Sequence, residues 1–148
     1  MLYILDTDVI DSFFDAKKIW HQKIREHVLN LNNDDNIGVS ILTLFELHYS
    51  LSNSPVEKQQ MILNTIEEIK RNFTIIYLNE NIAKIYGYIK KNFKVTYEIS
   101  RKNMKTHNID LIIASTAIVT NSILVCNDDI YTRLAEIDQR LKIQNWLK

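Results

Sequence analysis

Short apolar runs alternate along the chain with longer stretches of helical periodicity. Leu2-Tyr3-Ile4-Leu5, ended by Asp6-Thr7-Asp8, predicts a buried first strand. Asp8 is placed to cap a short helix through Phe14, and Ile19, Lys23, Ile24, His27, Val28 and Leu31 predict a second helix. After polar Asn32 to Asn36, Ile37-Gly38-Val39 reads as strand two, and Ser40 as the N-cap of a helix from Ile41 to about Leu51. Pro55 suits the start of the next helix, which turns Ile62, Ile66 and Ile69 inward and Glu57, Glu67 and Lys70 outward. Phe73 to Leu78, β-branched and aromatic, predicts strand three, followed by a helix over 81–92. Asn108 is placed to cap a strongly apolar helix to about Thr120. Ile123 to Cys126 then predicts strand four, Asp128 to Ala135 a helix, and Leu141 to Ile143 a last short strand. Strands alternating with helices imply right-handed βαβ units in one domain over 1–148, with a parallel sheet covered on both faces. In such sheets chemistry gathers at the carboxyl ends of the strands.

Composition narrows the class. The chain of 148 residues is 46% hydrophobic and 24% charged, which suits a folded domain with its own core. A formal net charge of zero argues against a protein that coats nucleic acid non-specifically. Positive charge is nevertheless concentrated at Lys90, Lys91, Lys94, Arg101, Lys102 and Lys105, opposed there only by Glu98. Cys126 has no partner for an intrachain disulfide, and Leu2 to Leu5 lack a basic leader or a cleavage site, so a cytoplasmic location is expected. The apolar stretch from Leu111 to Cys126 carries Ser115, Thr116, Thr120, Asn121 and Ser122, too polar to span a membrane.

Acidic residues carry the candidate chemistry. Asp6 ends the first strand, Asp110 opens an apolar helix, and Asp128 and Asp129 follow strand four. Each alone is explained by capping or by the helix dipole. Glu46 is harder to dismiss, because its helix, Ile41 to Tyr49, is apolar on nearly every side and an ionised carboxylate there needs a cation, a donor or water. A parallel sheet can bring Asp6, Asp110 and Asp128 together, with Glu46 placed to join. Two carboxylates about 4 Å apart repel by roughly 4 kcal/mol at an effective dielectric near 20. A hard divalent cation, Mg²⁺ or Mn²⁺, relieves that repulsion and leaves room for water and phosphate. Phosphodiester hydrolysis is the chemistry that uses such a site.

Leu5-Asp6-Thr7-Asp8-Val9-Ile10, Thr43-Leu44-Phe45-Glu46-Leu47, Asn108-Ile109-Asp110-Leu111-Ile112-Ile113-Ala114 and Val125-Cys126-Asn127-Asp128 resemble, in order, the acidic motifs of PIN-domain nucleases. The closing Ile143-Gln144-Asn145-Trp146 resembles the last strand of the VapC-type toxins within that family. The resemblance covers essentially the whole chain. It implies a three-layer α/β/α sandwich and Mg²⁺- or Mn²⁺-dependent endoribonuclease activity, with Asp6, Glu46, Asp110 and Asp128 as catalytic and metal-holding residues. The partners it implies are an RNA substrate, a cognate antitoxin protein and a second copy of the chain. Asp8 stands where the family often has Asn, Thr7 often accompanies the first acid, and Cys126 stands where the family commonly has Thr or Ser. Register favours Asp128 over Asp129 as the fourth acid.

Other readings compete for the same residues. Asp6-Thr7-Asp8 also suits a haloacid-dehalogenase-like phosphatase, with Asp6 as nucleophile and Asp8 as acid. That reading needs a later Ser or Thr, a positioned Lys and a Gly-Asp type loop, and it leaves Glu46 and Asp110 unused. A catalytically silent PIN-fold binding module is a further alternative. His48 and His107 near the acids are expected to play ordinary hydrogen-bonding roles. The basic segment is expected to be a solvated face, with an RNA-contact surface as its rival, Phe93 and Tyr97 offering base stacking.

Overall fold

The computed structural model describes residues 1–148. Five parallel strands, β1 (Leu2–Leu5), β2 (Asn36–Ser40), β3 (Thr74–Ile76), β4 (Ile123–Val125) and β5 (Lys142–Gln144), form one sheet in the order β3-β2-β1-β4-β5. Successive residues of a strand face opposite sides, and β1 uses this to build two cores. Ile4 and Leu124 pack with α5 (Glu80–Thr96), α7 (Asn108–Val119) and α8 (Asp129–Ile137). Leu5, Val39 and Val125 pack on the other face against α1 (Thr7–Phe14), α2 (His21–Leu29), α3 (Ile41–Asn53) and α4 (Val56–Asn72), together with Trp146 and Leu147. The result is a three-layer α/β/α sandwich with an all-parallel sheet, as the alternating pattern predicts. No helix is long and apolar enough to cross a membrane.

The strand order places a topological switch point beside β1. The chain winds outward from β1 through β2 to β3, then crosses back to β4 on the other side and on to β5. Crevices open outside the carboxyl ends of strands at such a point, here between Leu5 of β1 and Val125 of β4, which are paired in register. Gly38 lets β2 fit there: a Cβ on it would stand 3.1 Å from the Ile76 and Leu2 side chains and 3.2 Å from the Thr74 carbonyl.

Several boundaries differ from the sequence expectation. Asp6, not Asp8, holds the N-cap position of α1, and its side chain makes no capping hydrogen bond. The second helix starts at His21, leaving Ile19 exposed. Helix α5 runs on to Thr96, because Ile89 and Phe93 extend its buried stripe past Asn92. The basic segment folds into a short helix, α6 (Arg101–Met104), capped by Ser100 and continued by a 3-10 turn over Lys105–His107. Consequently His107 takes the N-cap position of α7, and Asn108 is its first residue rather than its cap.

Candidate active site

Every predicted acid reaches the crevice by a different route. Asp6 follows β1 directly, its N–H bonded to the Val125 carbonyl at 3.0 Å. Asp128 follows β4 and caps α8, one carboxylate oxygen accepting the Ile130 N–H at 3.1 Å. Glu46 lies on the second turn of α3, whose start is fixed by the Ser40 hydroxyl accepting the Leu42 N–H at 3.2 Å. Asp110 lies in the first turn of α7, which runs back against the sheet toward β4. Asp6, Thr7, Asp8, Glu46, Ile109, Asp110 and Asp128 line one cavity of about 120 Å³. The structure thus brings together all four predicted acids and adds Asp8 at the rim. Asp129 is left out: it faces a separate polar notch with Thr132, Asn145 and Lys148.

Hydrogen bonds hold the acids in fixed orientations. The buried Tyr131 hydroxyl donates to Asp6 Oδ1 at 2.9 Å and stands 3.4 Å from Asp110 Oδ1, spanning the two carboxylates. Thr7 donates from its hydroxyl to Glu46 Oε2, with the Thr43 hydroxyl 3.4 Å away from its own. His107 Nδ1 lies 3.8 Å from Asp110 Oδ2, and its ring meets Phe93 edge-on. His107 therefore borders the site, whereas His48 is exposed and lines no part of the cavity. Tyr131 is the contributor that sequence reasoning missed. It reads as one more apolar position of α8, and the only available signal is that a buried phenol needs a hydrogen-bond acceptor.

The electrostatics match a cavity prepared for positive charge. Burial pushes the Asp6 carboxyl from its usual 3.8 up to about 7, and the negative Asp110 and Asp8 add to the rise against the Tyr131 and Thr7 hydrogen bonds. Asp110 is raised too, first by burial and then by Asp128, with Glu46 contributing and His107 opposing. Burial also lifts the Cys126 thiol to about 12, with help from Asp6 and Asp128, so it behaves as an inert apolar group beneath the site. All polar side chains around the cavity present carboxylate or hydroxyl oxygen, the donor chemistry of Mg²⁺ and Mn²⁺. No three His, Cys, Asp or Glu side chains converge tightly enough to hold an ion as they stand. Tyr131, Thr7 and the Ile130 N–H each engage an oxygen of these acids. No lysine lines the cavity, so the charge a dehalogenase-like phosphatase needs beside its nucleophile is missing.

An α/β/α sandwich with acids collected at the switch point of a parallel sheet defines a recognisable class of protein. The PIN domain model matches residues 3–137, and the chain belongs to the PIN-domain family. Ribonuclease VapC2 of Rickettsia felis is similar to it, 26% identical over 136 residues that cover 86% of this chain and 87% of that protein. Among solved structures, VapBC2 of Rickettsia felis bound to a promoter DNA fragment aligns with a TM-score of 0.78 at 24% identity, over 99% of both chains. VapBC-1 of nontypeable Haemophilus influenzae aligns with a TM-score of 0.76 at 25% identity, over the whole of both chains.

Proposed function

We propose that this protein is a metal-dependent endoribonuclease, a VapC-type toxin that works in the cytoplasm and is restrained by a cognate antitoxin. One observation carries the reading: Asp6, Glu46, Asp110 and Asp128, distant in sequence, line a single small cavity at the carboxyl edge of the sheet. The similarity to Ribonuclease VapC2 supports RNA as the substrate, and that to VapBC structures supports the antitoxin. Exposed Phe45, Tyr49, Val56 and Met61 on α3 and α4 supply apolar surface for protein contacts, including those of a homodimer.

The residues fit a divalent cation by the chemistry of their donors, and Asp6, Glu46, Asp110 and Asp128 are the ones that would hold it. A cation bound there supplies positive charge against the scissile phosphate and acidity to water. Tyr131 bridges Asp6 Oδ1 and Asp110 Oδ1 and so helps to orient both carboxylates. Thr7 does the same for Glu46. Asp128 presents the oxygen that capping leaves unused. Asp8, exposed at the rim, adds a negative charge that repels doubly charged free phosphate more than a singly charged phosphodiester.

Purified protein is expected to cleave RNA with Mg²⁺ or Mn²⁺ and to stop on addition of EDTA, with activity restored by excess cation. Undiminished cleavage in EDTA excludes this mechanism.

A further inference from the structure

A second concavity, about 390 Å³ in volume, borders the first turn of α7, as the acid cavity does, and has the opposite charge. Lys90 and Lys94 of α5, Arg101 and Met104 of α6, Lys105 and Asn108 line it, and no acid is among them. None of the four cations is paired: the ion pairs of the chain involve Met1, Lys18, Lys70, His107 and Arg140 instead. Lys90 is held in place by neutral acceptors, the Tyr86 hydroxyl and Asn108 Oδ1, each at 2.8 Å. Met104 is buried beneath them. Four like charges around one hollow repel, and an anion with several negative groups relieves that repulsion.

We propose that this groove binds the phosphates of a single RNA strand flanking the scissile bond. The proposal rests on the ribonuclease reading for its position. Asn108 borders the groove and Asp110 the acid cavity, and both belong to the first turn of α7. Residues two apart on a helix point to nearly opposite sides, so the groove and the acids flank the amino end of α7. A strand crossing that end has one phosphate at the acids and its neighbours among the lysines. Without a cation the acids repel phosphate, so in EDTA affinity has to come from such a site. Base stacking adds nothing here. Phe93 is fully buried, and Tyr97 packs on Phe93 and donates to Glu136, which counts against the stacking role that the rival reading of the basic segment gives these aromatics. Lys91 and Lys102, equally basic in sequence, lie outside the groove.

The test compares two variants of equal charge, Lys94→Gln/Lys105→Gln in the groove and Lys91→Gln/Lys102→Gln outside it. All four lysines are exposed, so both variants keep the fold. The probe is a cleavage-resistant 2′-O-methyl RNA of about twelve nucleotides, a length convenient for single-strand sites. Binding is read by fluorescence anisotropy across a salt series in EDTA. The groove variant is expected to bind at least tenfold more weakly, with its salt slope reduced by roughly 1.4, at about 0.7 per phosphate contact on a single strand. The outer variant is expected to stay close to wild type. Equal losses in both variants, or none in either, overturn the proposal. Tighter binding of a polyglutamate peptide than of RNA, lost in the groove variant alone, assigns the groove to an acidic protein segment instead. If the wild type cleaves no RNA yet groove-dependent RNA binding persists, the ribonuclease reading fails and the groove stands.

Discussion

Asp6 ends the central strand with 7% of its surface exposed, and burial holds its carboxyl near pKa 7 instead of 3.8. Between those two values the folded chain binds a proton that the unfolded chain has lost. Stability in the absence of metal therefore falls as pH rises from about 4 to 7 and levels off above, by on the order of 4 kcal/mol in total. Asp6→Asn removes the charge while keeping an acceptor for Tyr131. In EDTA at pH 8 this variant is expected to melt above wild type, with a flattened pH profile between 4 and 7, and to lose ribonuclease activity. A variant melting below wild type at pH 8 would mean that the Asp6 carboxylate holds the fold together. The four acids are legible in the sequence because each stands at a strand end or on the first turns of a helix, positions that parallel topology forces to one edge. Asp8 joins them for the same reason, whereas Asp129, one residue past the cap, is turned away by the start of α8. Tyr131 is not legible, because its hydroxyl meets Asp6 across a separation of 125 residues.

Helix α3 shows how an element delivers a functional side chain. Ser40 ends β2 and caps the helix in one residue, so the strand fixes where α3 begins and hence where Glu46 falls. The cap is fully buried and satisfies the Leu42 N–H. Ser40→Ala is expected to cost about 1 kcal/mol, read as a lower urea midpoint with unchanged slope. Helix α7 solves a different problem, since it is buried nearly all round yet contains Ser115 and Thr116. Their hydroxyls donate back to the Leu111 and Ile112 carbonyls at 2.6 and 2.8 Å, which removes the cost of burying them. Elements with a strong period or a clear cap, such as β1, α3 and α4, can be read from the chain. The segment from Ser100 to His107 cannot, because short helices carry no period and their ends depend on neighbours. Asn108 illustrates this: it looks like a cap, but its side chain is engaged with Lys90 and Tyr86 instead.

At the scale of the molecule, the acid cavity opens at the surface, with exposed Asp8 and Ile109 at its rim. A ribonuclease built this way would act on the RNA of its own cell unless something occupied the site. The guanidinium of arginine matches the charge and planarity of paired carboxylates, so a helix projecting one arginine into the cavity is a fitting plug. An apolar groove lies close at hand between α1, α3 and α4, lined by Ile10, Phe14, Leu47, Met61 and Ile62 and edged by Asp11 and Asp15. The occupant expected there is a short amphipathic helix of the antitoxin with basic flanks. Expressed alone in its host, the protein should arrest growth, while Asp6→Asn at matched abundance should not. Co-expression of an adjacent small gene encoding a DNA-binding protein should restore growth. Met61→Asp, exposed in the groove on α4 and remote in sequence from every acid of the site, is expected to keep the toxicity but escape that rescue, with loss of the complex in size-exclusion chromatography. If wild type and Asp6→Asn are equally harmless, the toxin reading fails and a PIN nuclease of housekeeping RNA processing takes its place.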